Sequence, residues 1–191
     1  MADDRSIETY RSLRDMIKNA TGDESIQSVL VADIDRQAPS SVARHLAEAF
    51  RTARDTCVQI DTNFRRPDES DPGLSDLIDD PALIEELLAN DDESTIVGPG
   101  TVGTPDLLSS SGFPPALQAI VERFDYAVVT CDTYPGSSDL LAVAPSVDAV
   151  ILVISAGVTG REPAMQARDA LDRIDARILG LVVVERPRRW F

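Results

Sequence analysis

Apolar positions along the chain follow two periods. Over residues 6–19, Ile7, Tyr10, Leu13 and Ile17 recur at spacings of three and four, which predicts an amphipathic helix. Residues 28–32 form a short continuous apolar run and predict a strand. Pro39 predicts the opening of a helix over 40–53, with Val42, Leu46, Ala49 and Phe50 on its apolar side. The alternation continues. Strands are predicted at 57–60, 93–97 (an edge), 126–130, 149–155 and 178–184. Helical segments are predicted at 74–78, 81–89, 105–109, 114–124, 139–144 and 162–174. Several of these strands are apolar throughout, so they are buried on both faces. Helices between them supply the crossovers that parallel strands need. The predicted class is α/β: a three-layer αβα arrangement around a mainly parallel sheet.

The length of 191 residues fits one domain spanning 1–191, with an N-terminal helix inside 1–20 and a short tail at 186–191. The net charge of −15 opposes non-specific binding to nucleic acid or anionic lipid, both of which need a cationic surface. No run approaches the ~18 apolar residues of a membrane-spanning helix. The opening Met1-Ala-Asp-Asp-Arg5 is acidic and polar rather than signal-like, so the expected location is cytoplasmic. Cys57 and Cys131 lie at or beside apolar strand runs and read as reduced, buried thiols.

In parallel α/β folds, ligands bind beyond the carboxyl ends of the strands. The informative residues therefore lie in 33–41, 61–66, 130–138, 155–161 and from Val184 onward. Together they resemble the cytoplasmic kinase domain of bacterial tyrosine kinases (BY-kinases), a branch of the MinD/ParA-like P-loop ATPases. Glu8-Thr-Tyr-Arg11-Ser-Leu-Arg14 resembles the family's E-x-x-R-x-x-R helix. Asp61-Thr-Asn63-Phe-Arg65-Arg66-Pro67 resembles its second Walker motif, and Gly73-Leu-Ser-Asp-Leu77 follows as it does in the family. Thr104-Pro-Asp-Leu-Leu-Ser-Ser110, Phe124-Asp-Tyr126, Ser138-Asp139, Val147-Asp148, Ala156-Gly157 and Leu179-Gly180 continue the pattern.

The departures fall in the nucleotide cleft. A phosphate loop needs glycines for positive φ and close backbone approach, and a lysine for the β/γ-phosphates. The matching segment 28–45 has neither. The lysine position holds Pro39, and the glycine positions hold Arg36 and Ala38. The only lysine is Lys18. Asp33 and Asp35 add negative charge beside a would-be polyphosphate. By the resemblance, Ser40 matches the magnesium-binding hydroxyl, though a serine after proline is also an ordinary helix start. Asp61 keeps the second-motif carboxylate, either as a remnant or as a turn cap, with Asn63 as its companion. The Walker B position holds Thr130, unless a two-residue slide recruits Asp132. The asparagine that often reads adenine is replaced by Val184 or Glu185. The tyrosine-rich tail is absent, since the tyrosines are Tyr10, Tyr126 and Tyr134 and the chain ends Arg-Trp-Phe191.

The expectation is a catalytically degenerate BY-kinase-like protein with no cofactor. It would act as a scaffold or regulator in exopolysaccharide or capsule assembly and export, with no catalytic or metal-binding residues. The resemblance implies as partner a membrane polysaccharide co-polymerase or an active BY-kinase homologue, which could recruit the chain to the inner face of the plasma membrane. Glu8, Arg11 and Arg14 would then support a weak homo-oligomer, or simply pair along one helix. The rival reading is an enzyme, a divergent tyrosine kinase or MinD/ParA-like ATPase that binds ATP and Mg through an atypical loop. A third reading, a partition-type switch, fits poorly with the acidic charge.

Overall fold

The computed structural model describes residues 4–20, 25–34, 41–68, 71–89, 95–131 and 138–185. Among these residues, six strands form one sheet: β1 (Ser28–Asp33), β2 (Cys57–Asp61), β3 (Ile96–Val97), β4 (Tyr126–Thr130), β5 (Ala149–Ser155) and β6 (Ile178–Val184). Their order is β3-β2-β4-β1-β5-β6, and every pairing is parallel. Ser28 sits beside Ala127 and Asp61 beside Thr130, so the strands start and finish at common levels.

The side-chain period of two divides the core between the faces. Val29, Val31, Val128, Ile151 and Val153 point to one face, covered by α1 (Asp4–Lys18) and α2 (Val42–Thr52). Leu30, Ala32, Val58, Ile60, Val129, Val150 and Leu152 point to the other. That face carries α3 (Leu74–Asp79), α4 (Ile84–Leu87), α5 (Phe113–Val121), α6 (Asp139–Val143) and α7 (Arg161–Asp172). The layered α/β architecture is therefore as the sequence predicts, and the sheet is wholly parallel. No helix among the described residues is long and apolar enough to cross a membrane.

Three local expectations change. Ile7 does not share the buried face of α1. It is 42% exposed, while Tyr10, Leu13 and Ile17 pack against α2 and the sheet. Among the described side chains of α1, packing against the core begins at Tyr10, nearly two turns into the helix. Helix α2 starts at Val42, with His45 N–H donating to Ser41 O as its first bond, so Pro39 is not its first residue. Residues 81–89 divide into a 3-10 turn, Pro81–Leu83, and the short α4. Proline lacks an N–H and tolerates only the first turn, so it opens that turn. Of the proposed site residues, Ser40 and Asp132 lie outside the described residues, as does the tail 186–191.

Candidate functional site

The carboxyl ends of β1, β2 and β4 bring together Asp33, Asp61 and Thr130. This is the switch point of the topology: the chain leaves β1 toward β2 on one side and crosses from β4 to β5 on the other. Asp61 Oδ1 accepts the Asn63 N–H at 3.0 Å, closing an Asx-type turn. The Thr130 hydroxyl reaches the Ile60 carbonyl at 3.4 Å and Asp61 Oδ1 at 3.5 Å. Thr130 thus turns toward β2 and offers no carboxylate. Thr62 N–H and its hydroxyl both donate to Thr130 O at 2.9 Å, fixing the two strand ends together.

Arg65 follows β2, and its Nε and Nη2 donate to the two carboxylate oxygens of Asp139 at 3.3 and 3.2 Å. The Asp139 side chain is only 3% exposed, and Arg65 covers it from the solvent side. The pair ties the second-motif loop to the start of α6.

Beside the cleft, at the start of α2, lies the chain's only histidine. The rings of Tyr10 and His45 sit 5.0 Å apart, and Arg44 donates to His45 Nε2 at 3.1 Å. Burial pushes the Tyr10 hydroxyl above its ordinary value. Burial, then the Arg44 charge, holds His45 below its own. The imidazole is therefore neutral at physiological pH and packs as part of the α1–α2 contact.

The lysine is at the opposite end of the sheet. Lys18 Nζ donates to both carboxylate oxygens of Asp55, at 2.9 and 2.7 Å, and lies 5.7 Å from the Tyr126 ring centre. Asp55 precedes β2 and Tyr126 opens β4, so this cation sits about one strand length, ~15 Å, from the carboxyl ends. The bond to Asp55 raises its pKa. An open depression of about 630 Å³ adjoins it, lined by Gln27, Asp55, Thr56, Arg123 and Asp125.

The first-helix trio is divided. Glu8 and Arg11 lie 3.5 Å apart as an exposed i,i+3 pair. Arg14 is turned inward: it donates to Ala49 O of α2 at 3.1 Å and to Asp15 at 2.8–2.9 Å.

Other polar residues the motifs singled out are structural clasps. Asp148 Oδ2 accepts Gln27 N–H, Ser28 N–H and the Ser28 hydroxyl at 2.7–2.9 Å, and Asp148 N–H returns a bond to that hydroxyl. Asp125 and Thr56 form the same reciprocal arrangement, and the Thr56 N–H holds the Asp125 carboxyl below its ordinary range. The partners are 69 to 121 residues apart in sequence, so no local signal announces them.

No protein-family model matches the chain. In sequence it is similar to the tyrosine-protein kinase YwqD of Bacillus subtilis, at 24% identity over 188 residues, covering 92% of this chain and 79% of that protein. In structure it is similar to the chimerical protein CapA2B2, with a TM-score of 0.79 at 18% identity over 95% of this chain and 85% of that one. It also matches the BceF tyrosine kinase domain, with a TM-score of 0.78 at 22% identity over 95% and 78%. The chain is BY-kinase-like. MinD in the Aquifex aeolicus MinC:MinD complex shares the fold more distantly, with a TM-score of 0.62 at 13% identity over 86% of this chain and 70% of that one. This BY-kinase-like chain therefore has the P-loop NTPase-type fold of the MinD/ParA group.

Proposed function

We propose that this BY-kinase-like chain has lost nucleotide chemistry and works as a scaffold or regulator beside polysaccharide assembly. The observation that carries the reading is the position of Lys18. A phosphate loop needs a cation beyond the end of β1, and the only lysine is held by Asp55 beyond the opposite end. Three further points support it. The loop sequence Asp35-Arg-Gln-Ala-Pro39 lacks glycine. Thr130 stands where the Walker B carboxylate is expected, and Asp61 is engaged in its own turn. ATP with magnesium therefore fits this cleft poorly, and no chemical step is assigned to it.

The partner class follows from the resemblance: a membrane polysaccharide co-polymerase or an active BY-kinase. The proposed location is the cytoplasmic face of the membrane, reached through that partner. The test uses the purified chain, alone and with an active BY-kinase domain, and labelled ATP. The expected result is no phosphotyrosine on the chain alone and an altered autophosphorylation rate of the active kinase. Tyrosine phosphorylation by the chain alone would overturn the proposal in favour of a divergent kinase.

A further inference from the structure

Strand β6, Ile-Leu-Gly-Leu-Val-Val-Val, is as apolar as a central strand, yet none of its residues is buried. It is an edge: β5 pairs with one side and no described strand with the other. Leu181 and Val183 are 51% and 56% exposed. Their parallel partners are Leu152 and Ile154, whose side chains enter the core that α7 helps cover, so Leu181 and Val183 lie on the same face as α7. Met165 on α7 and Ile174 just after it are exposed as well. The Val184 carbonyl accepts the Ala156 N–H from the β5 side. Backbone groups alternate sides along a strand, so the N–H and C=O of Leu181 and Val183 face the open edge. Exposed apolar side chains and open backbone groups coincide at the same two residues. Natural proteins usually blunt such an edge with charge or cover it.

Charge identifies the cover. Residues 161–185 carry four arginines and five carboxylates, a net of −1, within a chain of net −15. Residues 61–110, which include β3 at the far edge, carry two arginines and thirteen carboxylates. The β6 flank is thus a side on which two copies can approach with little local repulsion. Its charges also alternate in sign, as in the Arg168–Asp169 and Arg168–Asp172 pairs.

We infer that β6 is a self-association edge, where two copies pair antiparallel about a two-fold axis normal to the sheet. That operation keeps the same face up in both copies. Leu181 of each copy lies opposite Val183 of the other, and the two α7 helices flank the junction on one side. A two-fold contact of this kind needs one self-complementary patch, and it is the commonest symmetry among oligomers. This inference is independent of whether the cleft binds nucleotide and of the Glu8–Arg11–Arg14 helix.

Sedimentation of the 191-residue chain over a concentration series tests it. The expected result is a monomer–dimer equilibrium that strengthens as salt rises, because salt screens the −15 repulsion and leaves apolar contact intact. The Leu181→Lys, Val183→Lys double variant should weaken the dimer at least about tenfold. It also lowers the net negative charge, so that loss cannot come from added global repulsion. Arg11→Ala should leave the dimer unchanged. An equimolar mixture of the Leu181→Cys and Val183→Cys variants should form a disulfide between copies on oxidation, whereas Ile7→Cys should not. A monomer at all concentrations and salts would overturn the proposal. So would a dimer that survives the lysine pair, or one cross-linked through position 7 and not between positions 181 and 183.

Discussion

Asp76, in the first turn of α3, gathers four donors. Its oxygens accept the Gly73 and Thr101 N–H groups at 2.9 Å, the Ser75 hydroxyl at 3.3 Å and the Thr101 hydroxyl. Burial alone would raise its pKa. The bonds from Thr101, Gly73 and Ser75 outweigh burial and hold it below the usual carboxylate range. A carboxylate with a depressed native pKa stabilises the fold fully above the unfolded value of about 3.9 and loses that contribution as pH falls through the native value. Asp76→Asn should therefore flatten the acid limb of a stability–pH profile below about pH 4. Asp76→Ala should cost about 2 kcal/mol at neutral pH, since donors aimed at the carboxylate lose their acceptor; urea unfolding across pH measures both. Lys18→Met removes a partly exposed ion pair. It should lower the melting temperature only slightly, and by less as salt rises, by thermal unfolding in low and high salt. At this scale the sequence was informative about which residues matter and less so about why. The motif marked Asp76 through Gly73-Leu-Ser-Asp-Leu77, but Thr101 lies 25 residues away. Nothing local points to it, or to the pairing of Arg65 with Asp139.

At the level of elements, helices and strands were legible because burial on two sheet faces writes continuous apolar runs. Helix ends were less so. Pro39 is a good opening residue by type, yet α2 begins at Val42. Ile7 matches the helix period but lies beyond the surface that α1 packs against. The loop that enters α3 shows what period cannot reveal. Gly73 closes against the 98–101 turn, where Leu74 N–H donates to Gly98 O and Ser75 N–H to Pro99 O. A Cβ on Gly73 would lie 2.4 Å from Gly98 O, and Gly100 sits at φ +90°. Gly73→Ala should destabilise by about 3 kcal/mol, read as a lower urea midpoint at unchanged slope. The phosphate-loop element gives a different kind of prediction. Restoring its sequence with Arg36→Gly, Ala38→Gly and Pro39→Lys should yield no measurable phosphate release, because Thr130 still supplies no carboxylate. A phosphate-release assay checks this, and turnover above the buffer blank would show a more competent cleft.

Across the whole molecule, the two ends of the sheet carry different parts of the resemblance. At the amino ends of the strands, the family-like residues Asp125 and Asp148 are working clasps on Thr56 and Ser28. They fasten crossovers and would be needed whatever the cleft did. Under the proposed reading, the sequence that follows β1 departs from the family pattern at Arg36, Ala38 and Pro39, and the end of β4 does so at Thr130. The fold was therefore legible in the sequence, because its supports were kept. The proposed function was only partly legible, because under that proposal it rests on residues that were replaced. Thermal unfolding with Mg-ATP, Mg-ADP or Mg alone tests the loss most directly. A P-loop ligand at about 100 times its Kd would stabilise the fold by ~2.7 kcal/mol, or about 5–10 °C in a chain of this size. The account predicts the same Tm in all three solutions. A rise of several degrees with Mg-ATP that Mg alone does not give would contradict it.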